Sequence, residues 1–287
     1  MKAFSRITGV SIAMMGALFL IGVPAQAHHV EKHFQVTGKP VVTVRNPSGN
    51  IQVKAWNKPE VMISMNFASD KLQIAGEQAG DRIEVETQIV GENPTSDELK
   101  ADYVVSVPEE SELQVRTDSG DVTVDSVHGN MTFDIVGANL ELSDVEGYVV
   151  IKSIDGSLVC TRCAGSLDAT SISGSFRLIQ PSMDSVRIQT SSGNILFDGN
   201  FIRRGIYILK NYSGTIEVRF SPSDSFDVAA NSLYGKVYNE APVKPDVHGN
   251  TRPPKYSNAL LFGSVNQGNA KVELSSFSGT IKILKRD

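Results

Sequence analysis

The chain has 287 residues, 27 Lys+Arg against 32 Asp+Glu for a formal net charge of −5, and 40% hydrophobic residues with 24 glycines. The acidic balance excludes nonspecific nucleic-acid binding, which needs a basic footprint. The hydrophobic fraction and unpatterned glycines exclude disorder and collagen. No stretch after residue 27 approaches the roughly 20 apolar residues of a membrane span.

Residues 1–27 read as a secretory signal. Lys2 and Arg6 form a positive start, an apolar run extends from Ile7 to Val23, and Ala25-Gln26-Ala27 is an A-x-A cleavage site. The mature chain, 28–287, then begins with His28, so no lipid-acceptor cysteine stands at the cut. The C-terminal Ile281-Lys282-Ile283-Leu284-Lys285-Arg286-Asp287 carries no sorting tail. The predicted location is exported, either periplasmic or secreted to the cell surface.

Residues 30–112 alternate in the manner of strands at Val41–Val44, Ile51–Val53, Val61–Ile63, Ile83–Val85 and Tyr103–Val107. Turn signals such as Asn46-Pro47-Ser48-Gly49-Asn50 and Asn57-Lys58-Pro59 separate them. This region is expected to supply irregular opening rungs or a cap.

From Leu113 an internal repeat sets in, with copies starting at Leu113, Met131, Val149, Leu167, Val186, Ile206 and Phe226. A last copy begins near Ala270. Each has two short alternating stretches joined by a small-residue corner, as in Asp118-Ser119-Gly120, Ile172-Ser173-Gly174, Ser191-Ser192-Gly193 and Phe277-Ser278-Gly279. Glycine at each corner is expected to supply a positive φ. Two strands and two turns in about 18–20 residues are too few for a propeller blade. A sandwich of hairpins gives no reason for the same side-chain type to recur at equivalent corners. Stacked rungs do, because each corner residue then sits about 4.8 Å above its counterpart. The predicted fold is therefore all-β, a single-domain β-solenoid whose regular rungs fill 113–287 with an insertion near 240–258.

At these residues the chain resembles a widespread bacterial family of exported repeat domains, a domain of unknown function that carries a putative-adhesin label. The resemblance rests on Asn46-Pro47-Ser48-Gly49-Asn50-Ile51-Gln52-Val53 and on Val105-Ser106-Val107-Pro108 followed by Leu113 to Val124. It continues through the Ser-Gly corners to Gly279-Thr280-Ile281 and covers nearly all of the mature chain. It implies a right-handed β-solenoid-like fold and offers no catalytic residues.

Cys160-Thr161-Arg162-Cys163 invites a redox reading, but the repeat register places Cys160 with Val124, Leu142 and Leu178, and Cys163 with Val127 and Val145. Both are expected to point inward, as a structural disulfide or as a buried thiol pair. His28, His29 and His33 could chelate copper at a processed N-terminus, but such a terminus is expected to be mobile, so no metal or cofactor is assigned. Asp118-Ser119-Gly120-Asp121 superficially resembles a nucleophile segment, yet the serine recurs at Ser173, Ser192, Ser213 and Ser278 without a neighbouring histidine.

Asp118, Asp121, Asp125, Asp134, Asp144, Asp155 and Asp168 raise the alternative of a polysaccharide-active β-helix enzyme, lyase or hydrolase, which needs clustered carboxylates. Their spread over several rungs favours a solvated face and a noncatalytic scaffold. The insertion, with Lys244, Arg252, Lys255 and Tyr256, is a candidate partner-contact loop for an envelope polysaccharide or protein. Arg203-Arg204, in another inserted turn, is a second candidate.

Overall fold

The computed structural model describes residues 28–244 and 259–286, and these contain strands and turns without a helix. The predicted signal segment, residues 1–27, lies outside the described residues. Strand β1 (His28–Gln35) leads to β2 (Val41–Ser48) and β3 (Ile51–Trp56), joined at the Gly49 corner. Then come β4 (Glu60–Phe67), β5 (Leu72–Ala79), β6 (Arg82–Ile89) and β7 (Ala101–Pro108). Pairing departs from chain order here. β6 and β7 lie parallel to β2 and β3 as one further copy on the outer side. β5 closes antiparallel on β6, β4 antiparallel on β7, and β1 antiparallel on β4. The region 30–112 is thus both rung and cap.

The next copies each give one strand to each of two sheets. They are β8 (Glu112–Ser119) with β9 (Asp121–Asp125), β10 (Met131–Ile135) with β11 (Asn139–Ser143), and β12 (Glu146–Ser153) with β13 (Ser157–Thr161). β14 (Ala164–Ser171) with β15 (Ser175–Ile179), β16 (Ser182–Ser192) with β17 (Ile195–Asp198), and β18 (Ile206–Ser213) with β19 (Thr215–Phe220) continue the stack. Neighbouring copies pair in parallel, so one side-chain column runs Val42, Leu113, Met131, Val149, Leu167, Val186. The facing sheet contributes Ile51, Val122, Leu140, Leu158, Phe176, Ile195, Ile216. Every one of these residues is buried, and the columns share one continuous apolar core. Period-two alternation makes this possible, since each strand turns alternate residues to the interior.

One copy begins a residue later than the repeat predicts. Val186 pairs with Tyr207, which is buried, while Ile206 is 46% exposed. The inserted turn before it widens the interior, and aromatic rings fill the space. Phe201 stacks on Phe197 at 5.2 Å, and Tyr207 meets Phe201 edge-on at 4.8 Å. The Tyr207 hydroxyl donates to the Met183 carbonyl and accepts the Ile202 N–H, both at 2.8 Å.

The C-terminal end also reorders the chain. β20 (Phe226–Ser232) and β21 (Lys236–Asn239) form the outermost copy, and β22 (Leu260–Val265) closes antiparallel on β20. β23 (Ala270–Ser276) and β24 (Thr280–Lys285) then insert between that copy and β18–β19. The Ala270 copy, last in sequence, is therefore not last in space. This places the chain's final strands between two neighbours and leaves β22 to cover the sheet end. The result is two open twelve-stranded sheets in a β-solenoid-like arrangement.

The corners lock the copies together. Three residues before the glycine stands a buried polar residue: Asn46, Thr117, Ser171, Thr190, Asn211, Ser276 or Ser232. Ser171 Oγ accepts the Gly174 N–H at 2.8 Å and Ser276 Oγ the Gly279 N–H at 2.8 Å. Ser232 Oγ donates to the Gly279 carbonyl at 2.6 Å, and Asn211 Nδ2 to the Gly193 carbonyl at 3.2 Å. Just past the glycine, Asn139 Nδ2 donates to Asp121 Oδ1 at 3.0 Å, and Asn139 Oδ1 accepts the Ser157 N–H at 3.2 Å. The glycines themselves correct an expectation. Gly120 and Gly214 have positive φ, but Gly174, Gly193, Gly235 and Gly279 do not. What they share is a close approach, because a Cβ on each would run into the carbonyl oxygen of the equivalent corner in the adjacent copy.

Cys160 packs in the column between Leu142 and Leu178, and both cysteines are fully buried. Their sulfurs are bonded at 2.02 Å, closing a loop with a sequence separation of 3.

Two stability measurements follow from these contacts. Gly193→Ala forces a methyl against backbone and is expected to cost about 3 kcal/mol in denaturant unfolding. Gly80→Ala is the contrast: its φ is +63° with nothing near the added carbon, so the cost is about 1 kcal/mol of backbone strain alone. Equal losses at the two positions would refute the stacking account. The double change Cys160→Val with Cys163→Val, matching the valines of neighbouring copies, should keep the fold and remove about 2 kcal/mol of loop constraint. Retention of the full stability by the double variant would show that the bond contributes nothing.

Candidate binding surface

On the outer face of the sheet, at the C-terminal end, the inserted turn at 200–205 meets the turn between β22 and β23. The Arg204 N–H donates to the Asn269 carbonyl at 2.7 Å and fixes the contact. Between them lies a cleft of about 810 Å³ lined by Arg204, Ile206, Asp227, Ala229, Phe262 and Lys271, with Gly263 and Gly268 keeping its walls low. Its volume falls in the range of small-molecule and oligomer subsites. Ile206, Ala229 and Phe262 give an apolar floor. Arg204 and Lys271 are exposed, and neither makes an ion pair with another described residue. Asp227 Oδ1 accepts the Ser264 hydroxyl at 2.5 Å. The displaced register that exposes Ile206 is what delivers it to this cleft, so the insertion builds the site.

Lys244, the first residue of the predicted partner-contact loop, is exposed and bridges antiparallel to Ser264, with both backbone hydrogen bonds at 2.8 Å. It therefore stands beside the Phe262–Gly263 wall of the cleft. Arg252, Lys255 and Tyr256 lie outside the described residues, as does His248. The structure thus brings two separately predicted candidates, the Arg203-Arg204 turn and the start of the insertion, to the same end of one sheet. Phe262, Ala229 and Lys271 were missed in sequence. The available signal was that an outward position alternates with buried neighbours yet carries Ala or Phe.

The other candidates are dispersed. Asp118, Asp121 and Asp125 are exposed on one copy and Asp134 and Asp155 on the next two, and Asp144 and Asp168 are half-buried. Arg162 holds Asp144 through two bonds of 2.7 and 2.5 Å, which keeps that carboxyl below its ordinary range. The N-terminal histidines sit in β1, correcting the expectation of a mobile terminus. His28 Nε2 lies 2.9 Å from Asp70, and His29 Nδ1 2.9 Å from Asn66. His33 Nε2 lies 2.7 Å from Glu31, whose hydrogen bond raises the imidazole above its usual value despite some desolvation. Among the described residues no three His, Cys, Asp or Glu side chains are grouped to hold a metal. Ser119 Oγ donates to Ser48 Oγ at 3.0 Å, a contact between corners of adjacent copies.

Comparison with known proteins agrees with this architecture. None of the curated proteins matches the chain. A putative adhesin from Bacteroides fragilis aligns over 92% of this chain and 100% of its own, at 10% identity and a TM-score of 0.50. A putative adhesin from Parabacteroides distasonis aligns over 91% and 98%, at 8% identity and a TM-score of 0.45. A putative cell adhesion protein from Clostridium sporogenes aligns over 91% and 100%, at 14% identity and a TM-score of 0.32. At 10% identity the likeness to the Bacteroides fragilis protein concerns the fold alone. The Toastrack DUF4097 family model matches residues 42–284, from the first parallel strand to the last, and the chain belongs to that family.

Proposed function

We propose that this chain is an exported, noncatalytic binding scaffold at the cell envelope, one right-handed solenoid domain with repeats of about 18–20 residues. The observation that carries the reading is the C-terminal cleft. It joins an apolar floor of Ile206, Ala229 and Phe262 to two cations, Arg204 and Lys271, against one lining carboxylate, Asp227, on a chain whose net charge is −5. Local positive charge on an acidic protein selects anionic partners. Lys244, at the edge of the cleft, adds a third cation among the described residues, and the sequence that follows it carries Arg252, Lys255 and Tyr256. An acidic envelope polysaccharide fits these groups, with sugar faces over the apolar floor and carboxylates or phosphates at the cations. The spread of the seven aspartates over four copies supports binding over hydrolysis, since an acid/base pair must flank one bond.

The test incubates the chain from His28 with isolated envelope material and measures retained partners and released products together. Saturable retention of acidic polysaccharide with no released oligosaccharide is the expected result. Arg204→Glu with Lys271→Glu should weaken it by about tenfold or more. Time-dependent release of product would establish the enzyme reading, and retention of a protein alone would move the partner to that class.

A further inference from the structure

The corner that locks the copies together also carries a row of exposed apolar side chains. At the position that follows the last inward residue of each corner strand stand Val136, Ile154, Ile172, Ser191, Tyr212, Phe277 and Leu233 in consecutive copies; the residue before is buried and polar in the last five and is Ile135 before Val136. Backbone hydrogen bonds keep the row in register: the Asp155 N–H donates to the Val136 carbonyl, Ser173 to Ile154, Ser191 to Ile172, Ser278 to Tyr212 and Tyr234 to Phe277. At the roughly 4.8 Å strand spacing the row is about 29 Å long. Ile154 is 51% exposed, Ile172 57%, Tyr212 56%, Leu233 57% and the adjoining Tyr234 73%.

The fold does not require these side chains to be apolar. Asp118 occupies the equivalent position in an earlier copy and Ser191 in a later one, within the same backbone. Two exposed apolar clusters in one row, Val136, Ile154 and Ile172 on one side of Ser191 and Tyr212, Phe277 and Leu233 on the other, mark an interaction surface, and the shape of the row narrows the choice. The row lies along the outside of successive turns, so it is convex and cannot enclose a small ligand, which binds in concavities. Tyr212 and Phe277 stack on one another with centroids 4.3 Å apart and planes 10° apart, so each covers a face that a sugar ring would need. A row one residue wide offers less than the roughly 800 Å² per partner of a stable protein interface. The carbonyls of Val136, Ile154, Ile172, Tyr212 and Phe277 are all occupied by the next copy, so no β-strand can add there. Saturated backbone hydrogen bonding is what a hydrocarbon environment demands, and tyrosine favours the boundary between headgroups and acyl chains. The flanking lane is hydroxyl-rich, with Ser173, Ser192, Ser213 and Ser278.

We propose that this corner row is a lipid-surface contact: the solenoid lies with the row along a bilayer and sinks Ile154, Ile172, Tyr212, Phe277 and Leu233 into its interfacial layer. With a net charge of −5 the chain is suited to zwitterionic and not anionic lipid. The contact is independent of the polysaccharide cleft.

The experiment is flotation of the chain from His28, which carries every described strand, with phosphatidylcholine vesicles. Variants are Ile172→Ser with Tyr212→Ser and Phe277→Ser, a side chain the corner already accommodates at Ser191. The wild-type chain should float with the vesicles. The triple variant should partition at least about tenfold less, with an unchanged melting curve and unchanged polysaccharide retention. Failure of the wild-type chain to float, or equal flotation of the variant, overturns the proposal. A concentration-dependent dimer lost in the variant also overturns it and assigns the row to a second copy. If the triple variant unfolds, Ile172→Ser alone is compared with Thr170→Ser two residues earlier in β14. Loss at Ile172 only supports the proposal, and equal behaviour overturns it.

Discussion

The close approach of one copy's corner to the next governs this molecule. At Gly174, Gly193, Gly235 and Gly279 the backbone of adjacent copies comes so near that a single added carbon has no room. That approach lets the buried polar residue three positions earlier reach across, as Ser232 does to the Gly279 carbonyl at 2.6 Å. Each such bond is worth only about 1 kcal/mol net. An unpaired buried hydroxyl costs more, so slippage by one residue would be penalised at several corners together. Hydrophobic columns fill the interior but would tolerate sliding between similar aliphatic residues. The corner fixes which residue faces which.

A stack built this way leaves open strand edges at both ends, and exposed edges invite unwanted pairing. The two ends answer it with a similar chain path. At the start, β4 and β5 run outward before β6 and β7 return to lie against the first copy. At the finish, β20–β22 run outward before β23 and β24 return. At the start antiparallel strands end both sheets and break the parallel register that another copy would need; at the finish β22 does so for one sheet, and the other ends at the four-residue parallel strand β21. The outermost strand β1 alternates charged or polar residues with half-buried ones, placing His29, Glu31 and His33 on the exposed positions. Such an edge disfavours strand addition by another chain.

Much of this was legible in the residues. Alternation predicted the strands, and the repeat predicted the parallel pairing of Leu113, Met131, Val149 and Leu167 together with the inward placement of Cys160 and Cys163. Spatial order was not legible, because a copy's own pattern says which face is buried but not which copy lies beside it. Hence Ala270 was expected last and lies between neighbours. The Ile206 copy slipped for a related reason, since an insertion changes how many residues separate equivalent positions while the alternation continues unbroken. The cleft was invisible in sequence: Arg204, Phe262 and Lys271 come from three segments that only the returning β23 brings together.

The outward positions of the corners show where selection other than folding has acted. Inside, most copies place a polar residue, then two positions, then glycine, the copy with Ile135 and Ala138 excepted. The first of those two positions points away, and the backbone holds Pro47, Asp118, Ser191 and Tyr212 there in different copies of one architecture. The backbone therefore does not choose between them, and an exposed isoleucine such as Ile154 or Ile172 at such a site carries a solubility cost, while Tyr212 and Phe277 recover part of theirs by stacking on one another. A pattern polar at the first copies and apolar over most later ones gives the solenoid a distinct edge along part of its length. The same reasoning applies to the cleft, where Ala229 and Phe262 occupy outward strand positions that elsewhere hold charged residues such as Asp168 and Arg187. Where a fold is this repetitive, departures from the repeat at positions the fold leaves free are the strongest guide to what the molecule touches.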